Sequence, residues 1–446
     1  MQRLHNTRRG RFNNLKMQHG NRIPETLAAE EVPPTGWSTL RVPTDALGPV
    51  RLIRLFDPEG DETIGYVVVD NLRRGPALGG IRIATDVTAE EVFRLARAMT
   101  LKNAAARLPL GGGKGGLRLD PTTTRAQAAG RRRLMERVAE ALYSLVEYIP
   151  GPDMGTDEED MQVLYETFTR MAGAPHHGRG GVGRPPACGG LPLDAWGLTA
   201  HGLLAAAYAL EAVNPDFRIE GARVIVQGFG AVGAALAAKL CEAGAILVGA
   251  SDIHAAYYHP EGLDIAALLA ARRHPHGLAE YEGRYAVRFG PEELDRLLEM
   301  PCLILAPAAR PDAITDRNWR HIQARFILEG ANTPIPPETE RRLWRERGVV
   351  CLTDFIVNAG GVIACAVERL MDTDAAFRKR IGANKDHGRA FIERMIARII
   401  GDNVRELADR LAVTPHLSWR DAALAMAHER LIRHQTDAFP PADFLP

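Results

Sequence analysis

The hexapeptide Gly228-Phe229-Gly230-Ala231-Val232-Gly233 narrows the possible folds of this chain more than any other segment. It follows ARVIVQ, a β-branched run that predicts a strand, and it opens AVGAALAAKLCEAG, whose small and apolar residues predict a helix. A second apolar run, AILVGAS, leads to Asp252, nineteen residues after Gly233. Strand, glycine turn, helix and acid-closed strand make a βαβ unit of an open α/β sheet shaped for a dinucleotide. The glycines permit a tight turn and bring a pyrophosphate onto the helix N-terminus, where free N–H groups and the dipole favour an anion. Gly228, Gly230, Ala231, Val232 and Gly233 are therefore candidate cofactor contacts. Asp252 is placed to accept hydrogen bonds from the adenosine ribose and to repel a 2′-phosphate. No arginine stands within several residues of it, so the expected cofactor is NAD, with NADP less favoured.

A length of 446 residues calls for two or three domains. A formal net charge of zero argues against a general nucleic-acid binder, which carries a basic excess. Apolar runs are too short for a membrane-spanning helix. Five scattered cysteines, odd in number and without CxxC spacing, suggest reduced thiols in a cytoplasmic protein and no zinc site, and no metal is expected. The first 22 residues hold six Lys/Arg, no acid and no apolar core, so they do not read as a secretory signal.

Residues 1–36 are expected to form a disordered basic tail, with order beginning near Trp37. RLIRLFD and TIGYVVVDN read as strands joined by the turn Asp57-Pro58-Glu59-Gly60. Thr88-Ala89-Glu90-Glu91 opens a helix through Met99, and a longer helix is expected from about Thr124 to Tyr148. RGGVGRPPACGG (179–190) reads as a linker before a helix from Asp194 to Val213. Further strands are expected at 302–306, 325–329 and 349–352, and helices from Asp354 to near Gln435. The boundaries implied are 37–185 for a first α/β domain, 186–355 for the dinucleotide domain and 356–446 for a helical segment.

Lysine usage carries the chemistry. Only six of the 55 Lys+Arg are lysines, and two of them, Lys102 and Lys114, lie twelve residues apart in MTLKNAAARLPLGGGKGGL. Arginine stays charged at any accessible pH, whereas a desolvated lysine can release its proton. Lys114, flanked by glycines, reads as a catalytic amine in a crowded pocket or, more plainly, as a solvated lysine in a glycine-rich turn. It is not a P-loop lysine, because Gly115 stands where Ser or Thr would hold magnesium.

Several stretches in one order resemble the glutamate/leucine/phenylalanine/valine dehydrogenase family. They are GPALGGIR (75–82), MTLKNAAARLPLGGGKGGLRLDP (99–121), GPDMGTDEEDM (151–161), GLTAHG (197–202), VIVQGFGAVG (224–233), SDIHAAYYHPEGLD (251–264), ILEGAN (327–332) and TDFIVNAGGVI (353–363). The resemblance implies reversible, NAD(P)-dependent oxidative deamination of an L-amino acid to a 2-oxo acid and ammonia. The fold it implies is an N-terminal α/β oligomerisation and substrate domain, a Rossmann domain, and C-terminal helices that pack back on the first. A homo-oligomer, usually a hexamer, goes with it. At matching positions, Lys102 would hold the substrate α-carboxylate, Lys114 would activate water, and Asp153 would shuttle the amino-group proton. Gly79 and Gly80 would let backbone approach the carboxylate, and Thr199, Asn332 and Asn358 would help hold the nicotinamide side or the amine.

The chain departs from the glutamate branch where specificity is set. Leu78 stands where that branch carries a lysine for the side-chain carboxylate, and Cys365 stands where it carries a serine. With Met99 these residues suggest an apolar pocket, so a leucine-, valine- or phenylalanine-type substrate is expected. Glutamate is the alternative, favoured by GGGKGG, GPDMGTD and the chain length; a non-catalytic regulatory subunit is the second.

Overall fold

The computed structural model describes residues 23–173, 180–382, 385–432, 439–441 and 444. Strand β1 (Ala28–Glu31) pairs antiparallel with β2 (Arg51–Asp57), and β2 with β3 (Glu62–Asn71). With β4 (Ala77–Ala84), β5 (Gly111–Arg118) and β6 (Tyr148–Gly151) they form a six-stranded sheet of order β1-β2-β3-β5-β4-β6. β4 lies parallel to both its neighbours. Its crossover to β5 is helix α1 (Ala89–Ala105), started by Thr88, whose hydroxyl accepts from the Glu91 N–H, with two acids in the first turn.

Side chains alternate across this sheet as the strand period demands. Leu52 and Val68 turn to one face and pack with Val92, Phe93 and Ala96 of α1. Ile53, Leu55, Val67 and Val69 turn to the other. After the short α2 (Pro121–Ala126), α3 (Ala128–Leu142) and α4 (Glu158–Ala172) cover that second face through Leu134, Val138, Met161 and Phe168.

The second sheet follows α5 (Leu193–Trp196) and α6 (Leu198–Val213). Its first βαβ unit is β7 (Arg223–Gln227), α7 (Ala231–Glu242) and β8 (Ile246–Ser251). The chain continues through β9 (Ala256–Tyr258), α8 (Ile265–Ala271), β10 (Val287–Phe289), β11 (Ile304–Pro307), β12 (Phe326–Leu328), α9 (Pro337–Arg347) and β13 (Val350–Leu352). The order is β10-β9-β8-β7-β11-β12-β13, parallel throughout except that β9 runs antiparallel to both β8 and β10. Order reverses between β7 and β11, and ligands of such sheets bind beyond the carboxyl ends of the strands at that switch.

Helices α10 (Asp354–Val357), α11 (Gly360–Thr373), α12 (Ala375–Gly382), α13 (Lys385–Val413) and α14 (Trp419–Ile432) close the chain. α13 runs along α6 and α14 lies against α1. The Asn403 amide donates to the Ala105 carbonyl at the end of α1 at 2.9 Å, and the Arg430 guanidinium donates to the same oxygen. Arg420 of α14 reaches the other way into a buried group of three acids, bonding Glu340 and lying 3.3 Å from Glu329 and from Asp354.

Several sequence expectations change here. Order begins before Trp37, because β1 already pairs with β2; residues 1–22 lie outside the described residues, as does Gln435. The first helix runs past Met99 to Ala105. The helix expected from Thr124 to Tyr148 is α2's last turn, α3 and then strand, with Tyr148 the first residue of β6. Asp194–Val213 is two helices, broken where Gly197 adopts φ 60°. The segment around Lys114 is neither a turn nor a loop but strand β5.

Candidate active site

Glycine makes β5 possible against α1. A Cβ on Gly112 would lie 2.2 Å from the Thr100 backbone nitrogen, so the strand and the helix touch main chain to main chain. This close approach sets Lys114, opposite Val68 on β3, beneath the last turn of α1, which carries Met99 and Lys102 three residues apart on one side. β4 brings Leu78, Gly79 and Gly80 alongside, and Gly79 too is pressed against backbone: its Cβ would lie 1.7 Å from the Gly113 carbonyl oxygen. The Tyr148 hydroxyl donates to the Gly79 carbonyl at 2.8 Å and ties the start of β6 to β4; Asp153 follows the end of β6.

Asp153 is held from three sides. Its N–H donates to the Thr156 hydroxyl oxygen at 2.8 Å, and that hydroxyl donates to the Ile81 carbonyl. Its Oδ2 receives Lys114 Nζ and Arg82 Nε, each at 3.0 Å, and Arg82 also donates to Glu91 at 2.6 Å. Burial alone would raise the Asp153 pKa; the two cations outweigh it and hold the carboxyl below its usual range. Burial drives the Lys114 pKa down, opposed by Asp153 and assisted by Arg82. Among neighbouring cations, Arg82 presses on Lys114 most strongly. Lys102 is lowered to about 8, first by burial, with Asp354 pulling up and Lys114 pushing down.

Across the cleft, Lys102 Nζ donates to Asn332 Oδ1 at 2.8 Å, just past β12. Asn358 Nδ2 donates to the Ala331 carbonyl at 3.1 Å, while its buried Oδ1 has no hydrogen-bond partner among the described residues. α7 begins at Gly230 without a side-chain cap, so its first N–H groups face the cleft, and a Cβ on Gly230 would meet nothing within 4 Å. An uncapped helix start beyond open space and an orphaned amide oxygen fit a dinucleotide with its nicotinamide toward Asn358.

The cleft has a volume of about 450 Å³. It gathers Leu78, Gly79, Gly80, Met99, Lys102, Lys114, Asp153, Thr199, Gly230, Ala231, Val232, Asn332, Asn358 and Cys365 from both sheets and from α11. Gly228, Gly233 and Asp252 lie outside it. Gly233 serves packing, for a Cβ there would lie 1.8 Å from the Gly228 carbonyl oxygen. Asp252 follows β8 and its carboxylate is already engaged by backbone: Oδ1 accepts from His254 N–H at 2.8 Å and Ala255 N–H at 3.0 Å, and Oδ2 from Leu278 N–H at 2.6 Å.

Arg82, Val182 and Val362 are among the wall residues that escaped the sequence reading. Arg82 stands in the quoted GPALGGIR, but its charge partner lies 71 positions away. Val182 and Val362 join Leu78, Met99 and Cys365 in an apolar wall, and nothing in the linker composition around Val182 signals a pocket. The segment carrying Val182 is pinned by Glu368, whose carboxylate accepts from the Gly183, Arg184 and Leu191 N–H groups. Burial lifts the Glu368 pKa to about 7, while Arg184 opposes that rise. Burial likewise lifts the Cys365 thiol, which stays neutral.

No described helix is long and apolar enough to cross a membrane. Among the described residues one buried group, Glu329, Glu340 and Cys351, has ligand atoms within 4.8 Å of one another, but Arg420 already supplies its cation.

Comparison with known proteins agrees with this geometry. Residues 189–437 match the model of the glutamate/leucine/phenylalanine/valine dehydrogenases, and residues 53–170 match that of their dimerisation domain. An NADP-specific glutamate dehydrogenase of Saccharolobus shibatae is 32% identical over 388 residues, 85% of this chain and 86% of that protein. Glutamate dehydrogenase B of Halobacterium salinarum is 34% identical over 397 residues, 86% and 87% of the two. A hetero-hexameric glutamate dehydrogenase from Thermus thermophilus, solved in a leucine-bound form, superposes with a TM-score of 0.72 at 29% identity, over 92% of this chain and 89% of that one. These names do not support the leucine- or valine-type preference expected from Leu78 and Cys365; they fit glutamate better. The chain belongs to the glutamate/leucine/phenylalanine/valine dehydrogenase family and is an amino-acid dehydrogenase.

Proposed function

We propose that the chain interconverts glutamate with 2-oxoglutarate and ammonia, using a nicotinamide dinucleotide. The observation that carries the chemistry is the Lys114–Asp153 pair at 3.0 Å, buried on the wall of a cleft whose far side is an uncapped helix start. The glutamate assignment is supported by the relatives' names.

In this reading Lys102 holds the α-carboxylate, giving up its bond to Asn332. Gly79 and Gly80 keep that corner free of side chains. A nicotinamide held near Thr199, Asn332 and Asn358 would supply the acceptor for the hydride of Cα. Asp153, a carboxylate at neutral pH, accepts the proton from the substrate ammonium. Lys114, with its pKa lowered by burial, takes the proton of the water that adds to the imino carbon and, as the ammonium, stabilises the oxygen of the carbinolamine. Thr199, Asn332 and Asn358 orient the nicotinamide side and the departing amine. The matched dimerisation domain and the hexameric neighbour support an oligomer built through the first sheet. The five unpaired cysteines support a cytoplasmic setting.

A second reading, an apolar amino acid, is favoured by the wall itself. Leu78, Met99, Val182, Val362 and Cys365 offer no charge to a second carboxylate, and burying one there unpaired would cost several kcal/mol. A reductive-amination screen decides. Purified protein receives ammonium and reduced dinucleotide with 2-oxoglutarate, 4-methyl-2-oxopentanoate, 3-methyl-2-oxobutanoate or phenylpyruvate. A preference for 2-oxoglutarate is the expected result; a preference for a branched or aromatic oxo acid would reverse the order of the two readings. Silence on all four would make a regulatory subunit the better account.

A further inference from the structure

The acid that closes β8 is spent on its own backbone. An ionised carboxylate offers about four acceptor positions, and three of those of Asp252 are filled by the N–H groups of His254, Ala255 and Leu278. A free acid at this place accepts both ribose hydroxyls and repels a 2′-phosphate. Asp252 has about one acceptor position left, and three converging N–H dipoles offset its charge.

The loop after β8 and the turn after α8 bring together donors that the sequence separates by 22 positions. His254 stands two residues past Asp252, and His276 stands two residues before Leu278, whose N–H holds the carboxylate. Their rings approach edge to face with centroids 6.4 Å apart. Between Asp252 and His254, Ile253 is 78% exposed, an apolar surface left open by the described residues. An exposed isoleucine flanked by an occupied acid and an imidazole suits an adenosine, with the base lying on the isoleucine and the ribose toward the rings.

Building on the dinucleotide reading above, we propose that His254 and His276 recognise a ribose 2′-phosphate, so that the chain takes NADP(H) as well as NAD(H). Each imidazole offers at least one N–H, and two rings 6.4 Å apart can donate to different oxygens of one phosphate. The sequence reading disfavoured NADP for want of a nearby arginine; the fold supplies two histidines instead.

The test is calorimetric titration of the full-length protein with 5′-AMP and with 2′,5′-ADP, which differ only in the 2′-phosphate. It is repeated on the double variant His254→Ala/His276→Ala, with a thermal melt to check folding. Wild type should bind 2′,5′-ADP more tightly than AMP, and the variant should lose about tenfold of that preference, as expected for two charge-assisted hydrogen bonds. Kinetically, the ratio of kcat/KM with NADPH to that with NADH should fall by the same factor. AMP binding with no preference for 2′,5′-ADP in wild type would overturn the inference and leave the cofactor reading standing, as would an unchanged ratio in the variant. Failure of both nucleotides to bind would overturn the two together.

Discussion

Lys114 and Asp153 set each other's charge at 3.0 Å, so the two should fail together. Lys114→Ala is expected to lower kcat by at least about 10²–10⁴-fold while dinucleotide binding, followed by fluorescence, stays intact. Residual deamination near the wild-type rate would remove Lys114 from the chemistry. Lys102 predicts a pH effect. With its pKa near 8, the free enzyme presents an ammonium below that value and a neutral amine above it. The KM for the oxo acid should therefore climb as pH rises through about 8, while the KM for the dinucleotide stays flat; a parallel rise in both would point to another group. Leu78 is buried in the cleft wall beside Met99. Leu78→Lys should raise the ratio of 2-oxoglutarate to 4-methyl-2-oxopentanoate turnover by about tenfold or more, since the new ammonium attracts a second carboxylate and repays nothing to a branched alkyl chain. An unchanged ratio would place the substrate side chain elsewhere.

Strand β5 shows what a sequence hides. GGGKGGLR has neither alternation nor β-branched residues, the two signals by which a strand is recognised, because its helix-facing neighbour sits so close that only hydrogen fits. Gly112→Ala places a methyl group 2.2 Å from the Thr100 nitrogen, so the strand or α1 must shift; about 3 kcal/mol of destabilisation or more is expected, read from denaturant midpoints. An unperturbed midpoint would mean the two elements part easily. The βαβ unit of the second sheet was legible in full, because glycine turn, helix and acid are local signals within a few dozen residues. The candidate site was legible where the resemblance quoted motifs, Lys102, Lys114 and Asp153 among them. Pairings between distant residues, such as Arg82 with Asp153, Lys102 with Asn332 and His254 with His276, are products of the fold and leave no local trace.

At the scale of the molecule, α14 joins what the two sheets leave apart. Arg420 meets three buried carboxylates that arise from the ends of β12 and β13 and from α9, and burial with mutual repulsion raises the pKa of both Glu329 and Glu340. Arg420→Ala would strand those acids, a change expected to cost about 3–5 kcal/mol and to lower the melting temperature, more so at higher pH where Glu329 and Glu340 must ionise. A variant as stable as wild type would mean the acids share protons without needing the arginine. Ten residues further on, Arg430 seals the end of α1 in the first sheet's layer. Both arginines lie within the last 27 residues of the chain. On a ribosome that releases domains from the N-terminus onward, the two halves emerge early but neither can be finished. The carbonyl end of α1 and the acid cluster wait, open, for α14. Cutting the chain ahead of α14 should therefore cripple the whole protein and not merely trim it.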